Sequence, residues 1–238
     1  MGGGLTAALP PVPSPRSGLL LPRGFFDRPA DEVAAGLLGC VLRHDTPAGA
    51  VAVLVTETEA YAGMADAASH AFRGRTARTA VMFGQPGHAY VYFTYGMHFC
   101  VNLVCLPEGT ASAVLLRAGR VIEGAELAAQ RRVAGIGARD LARGPARLCQ
   151  ALGIDRVLDG ADVCDPGSPL RVSGPLLAVT AADNRQGPRV GVSRAAEVPW
   201  RFWIAGEPTV SAYRAHAPRR AAAKAVYAPL RDGGTMQR

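Results

Sequence analysis

AVAVLVTETEAY, Ala50 to Tyr61, begins as an unbroken apolar, β-branched run and ends in two carboxylates and an aromatic ring. A short run of this kind reads as a buried strand. Side chains alternate faces along a strand, so Val53, Val55, Glu57, Glu59 and Tyr61 share one face, apolar at its start and acidic at its end. Two acids on one strand face lie about 6 to 7 Å apart, and a strand that carries them out of the core usually does so at a cleft. A strand end with two solvated acids fits the same pattern. Beyond it, GMADAASHAF adds the lone His70.

On either side of this run the chain continues in strands. VLRHD precedes it, and HAYVYFTY, MHFCVNLVCL and ASAVLLRAG follow, separated by Gly and Pro. LLAVT, RVGVS and RFWIAG are expected to be strands as well. FFDRPADEVAAGLLGCVL sets Val33, Ala34, Leu37 and Leu38 at helical spacing, with Asp27 as the expected N-cap and the end near Gly39. EGAELAAQRRVAG and GPARLCQALG read as helices, Pro145 marking the start of the second. Strands in runs, flanking helices and no βαβα alternation indicate an α+β fold.

A chain of 238 residues suits one domain with tails. Residues 1–22 are rich in Gly, Pro and Ser, and proline breaks every apolar run, so they fit neither a signal peptide nor a membrane helix. They are expected to form a flexible tail, and the Ala- and Arg-rich residues 212–238 a second one, leaving 23–211 as the domain. The formal charge of +7 is carried almost wholly by arginine, whose planar fork suits phosphate, and this favours a polyanionic partner such as nucleic acid. Five cysteines, Cys40, Cys100, Cys105, Cys149 and Cys164, are odd in number and form no C-x-x-C pair. That argues against a disulfide framework or zinc ribbon, and His98 with Cys100 is too little for a metal site; no metal and no cofactor are expected. A reducing, cytoplasmic setting follows.

HAYVYFTYGMHFCVNLV reads as a hairpin with Tyr95-Gly96 at its turn. Turns favour small polar residues, so a tyrosine at a hairpin tip either folds back onto the core or enters something else. On a basic protein that recipient is a base step, which an apolar wedge unstacks from the minor groove. Tyr90 and Tyr92 form an aromatic face suited to a flat ligand. Asn102 on the returning strand either reads a base edge or serves as a structural hydrogen-bonder. Between Ala71 and Arg78, FRGRTAR carries Arg73, Arg75 and Arg78 in a Gly-containing loop that could wrap phosphates.

Taken together, FFDRPA, VTETEAY with the downstream SHAFRGRT, VMFGQPGHAYVYFTYGMHFCVN, AVLLRA, GPARLCQALGI, and PRVGVS followed by RFWIAG resemble the alkyladenine (3-methyladenine) DNA glycosylase family, of the type without a helix-hairpin-helix, from about Phe25 to Gly206. The resemblance implies a curved, mostly antiparallel sheet with a protruding hairpin. It implies Glu59 as general base, with Arg117 and the backbone of Val190 helping to hold its water. Tyr61, His70 and Tyr92 would wall the flipped base, His70 also hydrogen-bonding it, with Asn102 as discriminator and Tyr95 as the wedge. The implied partner is double-stranded DNA containing alkylated or deaminated purines, bound through the minor groove by a monomer, and no membrane. One departure stands out: in TARTAVMF, Thr79 replaces an Asn and Ala77 a Pro, which bears on loop rigidity and substrate range.

The chemistry fits the residues on its own terms. A base inside a duplex is unreachable until flipped, alkylated purines stack well on tyrosine and leave readily, and one carboxylate suffices to activate water. A minor-groove binder would use the arginines and Tyr95 without needing Glu59. A nucleoside hydrolase could use Glu57 and Glu59 as an acid and base pair. Lys224 is the only lysine, so hydrolysis by water is expected rather than Schiff-base chemistry on the sugar.

Overall fold

Strand β2, Gly49–Tyr61, organises the molecule and is buried from Val51 through Ala60. The computed structural model describes residues 18–94 and 96–217. Along one side β2 pairs with β5, Ala113–Glu123. Along the other its first half pairs with β1, Val41–Thr46, and its second half with β8, Arg201–Ile204. The sheet therefore forks where the apolar run of the sequence gives way to acids. Register shifts against β5 flank Glu57, and such bulges bend a strand and sharpen its twist.

The hairpin of β3, Ala89–Thr94, and β4, His98–Val104, continues the sheet beyond β5. Strand β6, Leu170–Ser173, closes the opposite side on β1, and β7, Asn184–Gly187, extends β8. All these pairs are antiparallel. The result is the expected α+β architecture, one curled antiparallel half-barrel with few helices. Phe93 and Met97 are exposed near the end of the hairpin.

Helix α1 spans Arg23–Phe26 and α2 spans Ala30–Gly36; Val33, Ala34, Leu37 and Leu38 are all buried, as their spacing predicts. After α3, Ala125–Gln130, helix α4, Pro145–Leu152, starts on its proline and stops at Gly153, whose φ is +72°. It buries Leu148, Cys149, Ala151 and Leu152 in the core beside Leu54, Leu103 and Leu116 of the sheet. Burying each of these leucines contributes about 1.5–3 kcal/mol. Four cysteines are buried, and burial pushes Cys40 up to about 12, so these thiols act as core filling.

Several readings change. Asp27 caps the end of α1, and the α2 N-cap is Pro29. LLAVT and RVGVS are irregular, whereas RFWI is a strand as expected. Leu20 and Leu21, read as part of a tail, are tied down: Leu20 bridges Ser173, and Leu21 N–H donates to the Val172 carbonyl (2.9 Å). Tyr95 and Lys224 lie outside the described residues, as does most of each expected tail.

Candidate active site

The fork in the sheet delivers both acids of β2 to one place. Glu59 is fully buried, and its carboxylate is held from three directions. Val190 N–H donates to Oε1 (2.7 Å), the Tyr61 hydroxyl donates to Oε2 (2.8 Å), and Arg117 Nη1 lies 3.4 Å from Oε2. Arg117 and Val190 thus contact the carboxylate itself. Irregular backbone at RVGVS makes this possible, because in a ladder the Val190 N–H would pair with a neighbouring strand. A carboxylate has about four acceptor positions, so Glu59 keeps one for a further donor such as water.

Glu57, two residues earlier and equally buried, is used up. Arg117 Nε (3.1 Å), Arg201 Nε (2.7 Å) and Ser211 Oγ (2.9 Å) donate to its Oε1, and Ser211 N–H donates to Oε2 (2.7 Å). The acids do share a face, and Arg117 links them. Burial alone would lower the Arg117 pKa, but Glu59 and Glu57 outweigh that and raise it above its ordinary value. Burial, then the Glu59 charge, pushes the Tyr61 hydroxyl well above the usual tyrosine range, so it stays a donor.

A second buried pair supports the first, and sequence reasoning missed it. Arg189 is 1 % exposed and grips Asp66 with both terminal nitrogens (2.5 and 3.0 Å). Its guanidinium lies between the rings of Tyr61 (4.8 Å) and Trp200 (5.3 Å) and also donates to the Ala60 carbonyl (3.0 Å). It thereby anchors both the residue before Val190 and the turn that leads to His70. That turn leaves β2 through Gly63, whose φ is +57° and where a Cβ would stand 1.8 Å from the Ala111 carbonyl oxygen, so only glycine fits. The one local signal was an aspartate in an Ala-rich run.

Above this floor opens a cavity of about 510 Å³, lined among others by Tyr61, His70, Tyr90, Tyr92, Asn102 and Arg117. Tyr90 and Tyr92 stack at 5.4 Å, and the His70 ring stands edge-on to Tyr92 at 4.5 Å. His70 Nδ1 lies 3.2 Å from the Tyr90 hydroxyl. One edge of its ring opens to the cavity, while desolvation by its neighbours, then the Arg78 charge, lowers its pKa to about 4. It is therefore neutral near pH 7. Asn102 is buried and reaches only weakly, at 3.4 Å, to the Tyr90 carbonyl.

Of the loop arginines, Arg73 lines the cavity, Arg75 is exposed, and Arg78 sits over the Tyr92 ring at 5.7 Å. Thr79, the departure noted above, is buried and pins the loop: its hydroxyl accepts from Thr76 N–H (2.9 Å) and lies 3.4 Å from the Gly74 carbonyl. A neighbouring cavity of about 400 Å³ shares Arg117 and Val190 with the first and adds Arg143, Arg147 and Arg214, none of which stood out in the sequence. Among the described residues no three His, Cys, Asp or Glu side chains form a metal site, and no helix is long and apolar enough to cross a membrane.

Residues 24–208 match the methylpurine-DNA glycosylase family. A protein of Streptomyces avermitilis is 60 % identical over 203 residues, covering 84 % of this chain and 94 % of its own. One from Leifsonia xyli is 53 % identical over 193 residues, covering 78 % and 88 %, and one from Mycobacterium tuberculosis is 50 % identical over 179, covering 72 % and 86 %. The names of all three include the words 3-methyladenine DNA glycosylase. On a match that runs through nearly all of the described residues, the chain belongs to the methylpurine-DNA glycosylase family.

Proposed function

We infer that this protein is a monofunctional DNA glycosylase that flips alkylated or deaminated purines out of duplex DNA and hydrolyses their N-glycosidic bond. The observation that carries this reading is Glu59: a buried carboxylate with one acceptor position left, placed beneath a tyrosine-walled cavity. Water held by Glu59 attacks C1′ of the sugar. The bond to the purine breaks, its electron pair leaves with the base, and the water proton passes to Glu59. Negative charge on Glu59 also favours the oxocarbenium character that develops on the sugar.

A planar, electron-poor base suits the face of Tyr92, and the neutral His70 does not repel a cationic one. If the Tyr90 hydroxyl donates to His70 Nδ1, the proton of the ring sits on Nε2 and is free for an acceptor on the base. Asn102, in the cavity lining, serves as the discriminator of the base edge. The exposed Phe93 and Met97 flank the hairpin tip, supporting its entry into the minor groove with Tyr95 as wedge. Arg73, Arg75 and Arg78, with Arg143, Arg147 and Arg214, supply cations for the phosphates. One copy carries every group used, so a monomer suffices, acting in the bacterial cytoplasm.

The saturated Glu57 weighs against an acid and base pair acting on free nucleosides, since its acceptor positions are filled. The test is an excision assay on duplexes carrying 3-methyladenine, 7-methylguanine, hypoxanthine or ethenoadenine. Release of at least one base, leaving an unbroken abasic strand and no borohydride-trapped complex, is expected. Binding without release from any of them would overturn the reading in favour of a non-catalytic binder.

A further inference from the structure

The segment after β8 reaches back into the floor of the cavity, beyond the family match that ends at residue 208. Ser211 does most of the reaching. Its N–H and hydroxyl both donate to Glu57, its carbonyl accepts from Arg201 Nη2 (2.7 Å), and its Oγ lies 3.4 Å from Arg117 Nη2 as acceptor. The Arg117 guanidinium is therefore held at all three nitrogens: Nε by Glu57, Nη1 by Glu59 and Nη2 by Ser211. Three residues on, the Arg214 carbonyl accepts from Gly191 N–H (2.9 Å), next to the Val190 N–H that holds Glu59. Both donors fixed on Glu59 from outside β2 are thus steadied by the same short strap.

We propose that residues 210–214 form a positioning element for the reaction and that Ser211 is its positioning residue, setting the rotation of Arg117 and through it the aim of the Glu59 carboxylate. Ser211 touches neither Glu59 nor the base cavity; it acts through Arg117. A planar fork directs its hydrogen bonds rigidly, so a guanidinium released at Nη2 can turn toward Glu57 and loosen its long 3.4 Å contact with Glu59. The strap has its own anchors. Arg143 Nε donates to the Val210 carbonyl (2.9 Å), and Thr209 Oγ1 lies 3.0 Å from Thr56 Oγ1. Losing one hydroxyl should therefore leave the strap docked.

This inference rests on the role given to Glu59. The experiment compares wild type, Ser211→Ala and Ser211→Thr by single-turnover excision at saturating enzyme, by lesion-duplex Kd and by Tm. Ser211→Ala removes both hydroxyl contacts, to Glu57 and from Arg117 Nη2, and is expected to cut the excision rate about tenfold or more, with Kd within about twofold of wild type. Ser211→Thr, which keeps the hydroxyl, should recover most of that rate. A wild-type rate in Ser211→Ala would overturn the proposal. So would a fall that tracks lost Tm and is not rescued by Thr, because the strap would then be structural. Absence of excision in the wild type would instead refute the reading of Glu59, and this inference with it.

Discussion

The floor of the cavity is closed and its charges are paired within it, whereas its wall is open and mainly aromatic. Three carboxylates, Glu57, Glu59 and Asp66, meet three guanidiniums, Arg117, Arg189 and Arg201, in the floor, and none of the six is more than 7 % exposed. The wall is made of Tyr90, Tyr92, Asn102 and a neutral His70, with Arg73 at its lining and Arg78 over the Tyr92 ring. Buried charges are tolerated only where partners compensate them, so the floor is rigid and intolerant of change. Within the floor the same contrast recurs between Glu59, which keeps an acceptor position, and Glu57, which does not.

Breaking the floor at its reactive member should give the largest effect. Glu59→Gln keeps the shape and removes the proposed base, so excision should fall about 10²- to 10⁴-fold in single-turnover assays while lesion-duplex binding persists. Near-normal cleavage would remove Glu59 from the mechanism. At the spent member the effect should appear in stability. Glu57→Gln leaves Arg117 and Arg201 without their shared counter-charge, at a cost of about 3–5 kcal/mol, which lowers Tm on the order of 10 °C. A Tm within about 2 °C of wild type would show that the network is not stabilising.

The wall should respond more gently and in other observables. In the proposed role of Asn102 as discriminator, Asn102→Ser opens the edge where guanine would present its 2-amino group, and a removed mismatch of about 1–3 kcal/mol should raise guanine excision relative to hypoxanthine roughly tenfold or more. An unchanged ratio in matched duplexes would leave Asn102 as a support for the Tyr90 carbonyl. The smallest effect concerns His70. Its pKa falls from 6.5 to about 4 on folding, so the unfolded chain binds the proton more readily between those values. The stability it contributes is complete above pH 6.5 and is lost as pH falls through about 4. His70→Phe should flatten part of the Tm decline across that window, and identical profiles would contradict the shift.

What could be read from the sequence was what depends on neighbours along the chain. The two-residue period of β2 placed Glu57, Glu59 and Tyr61 on one face, and that of β3 put Tyr90 beside Tyr92. Pro145 marked a helix start for a local steric reason. RVGVS misled because alternating β-branched residues imitate a strand, while its Val190 N–H is committed to Glu59. The polar NRQG of β7 gave no strand signal and is ordered by pairing with β8. Asp66 and Arg189 are 123 residues apart, and no local pattern announces a partner at that distance.

The contacts that engage Glu57 also carry a lesson about order in time. Its partners Arg201 and Ser211 follow it by 144 and 154 residues. Contacts so distant in sequence close late, and a chain emerging from the ribosome presents Glu57 and Glu59 long before their partners exist. The charged floor is therefore completed only after residues 201–211 have been synthesised, and a chain stopped before them that holds the whole aromatic wall would still lack a fixed Arg117. Pulse-labelled hydrogen exchange during refolding should find the Ser211 amide protected after those of β2 and β5; protection at the same time would place the strap in the early nucleus instead.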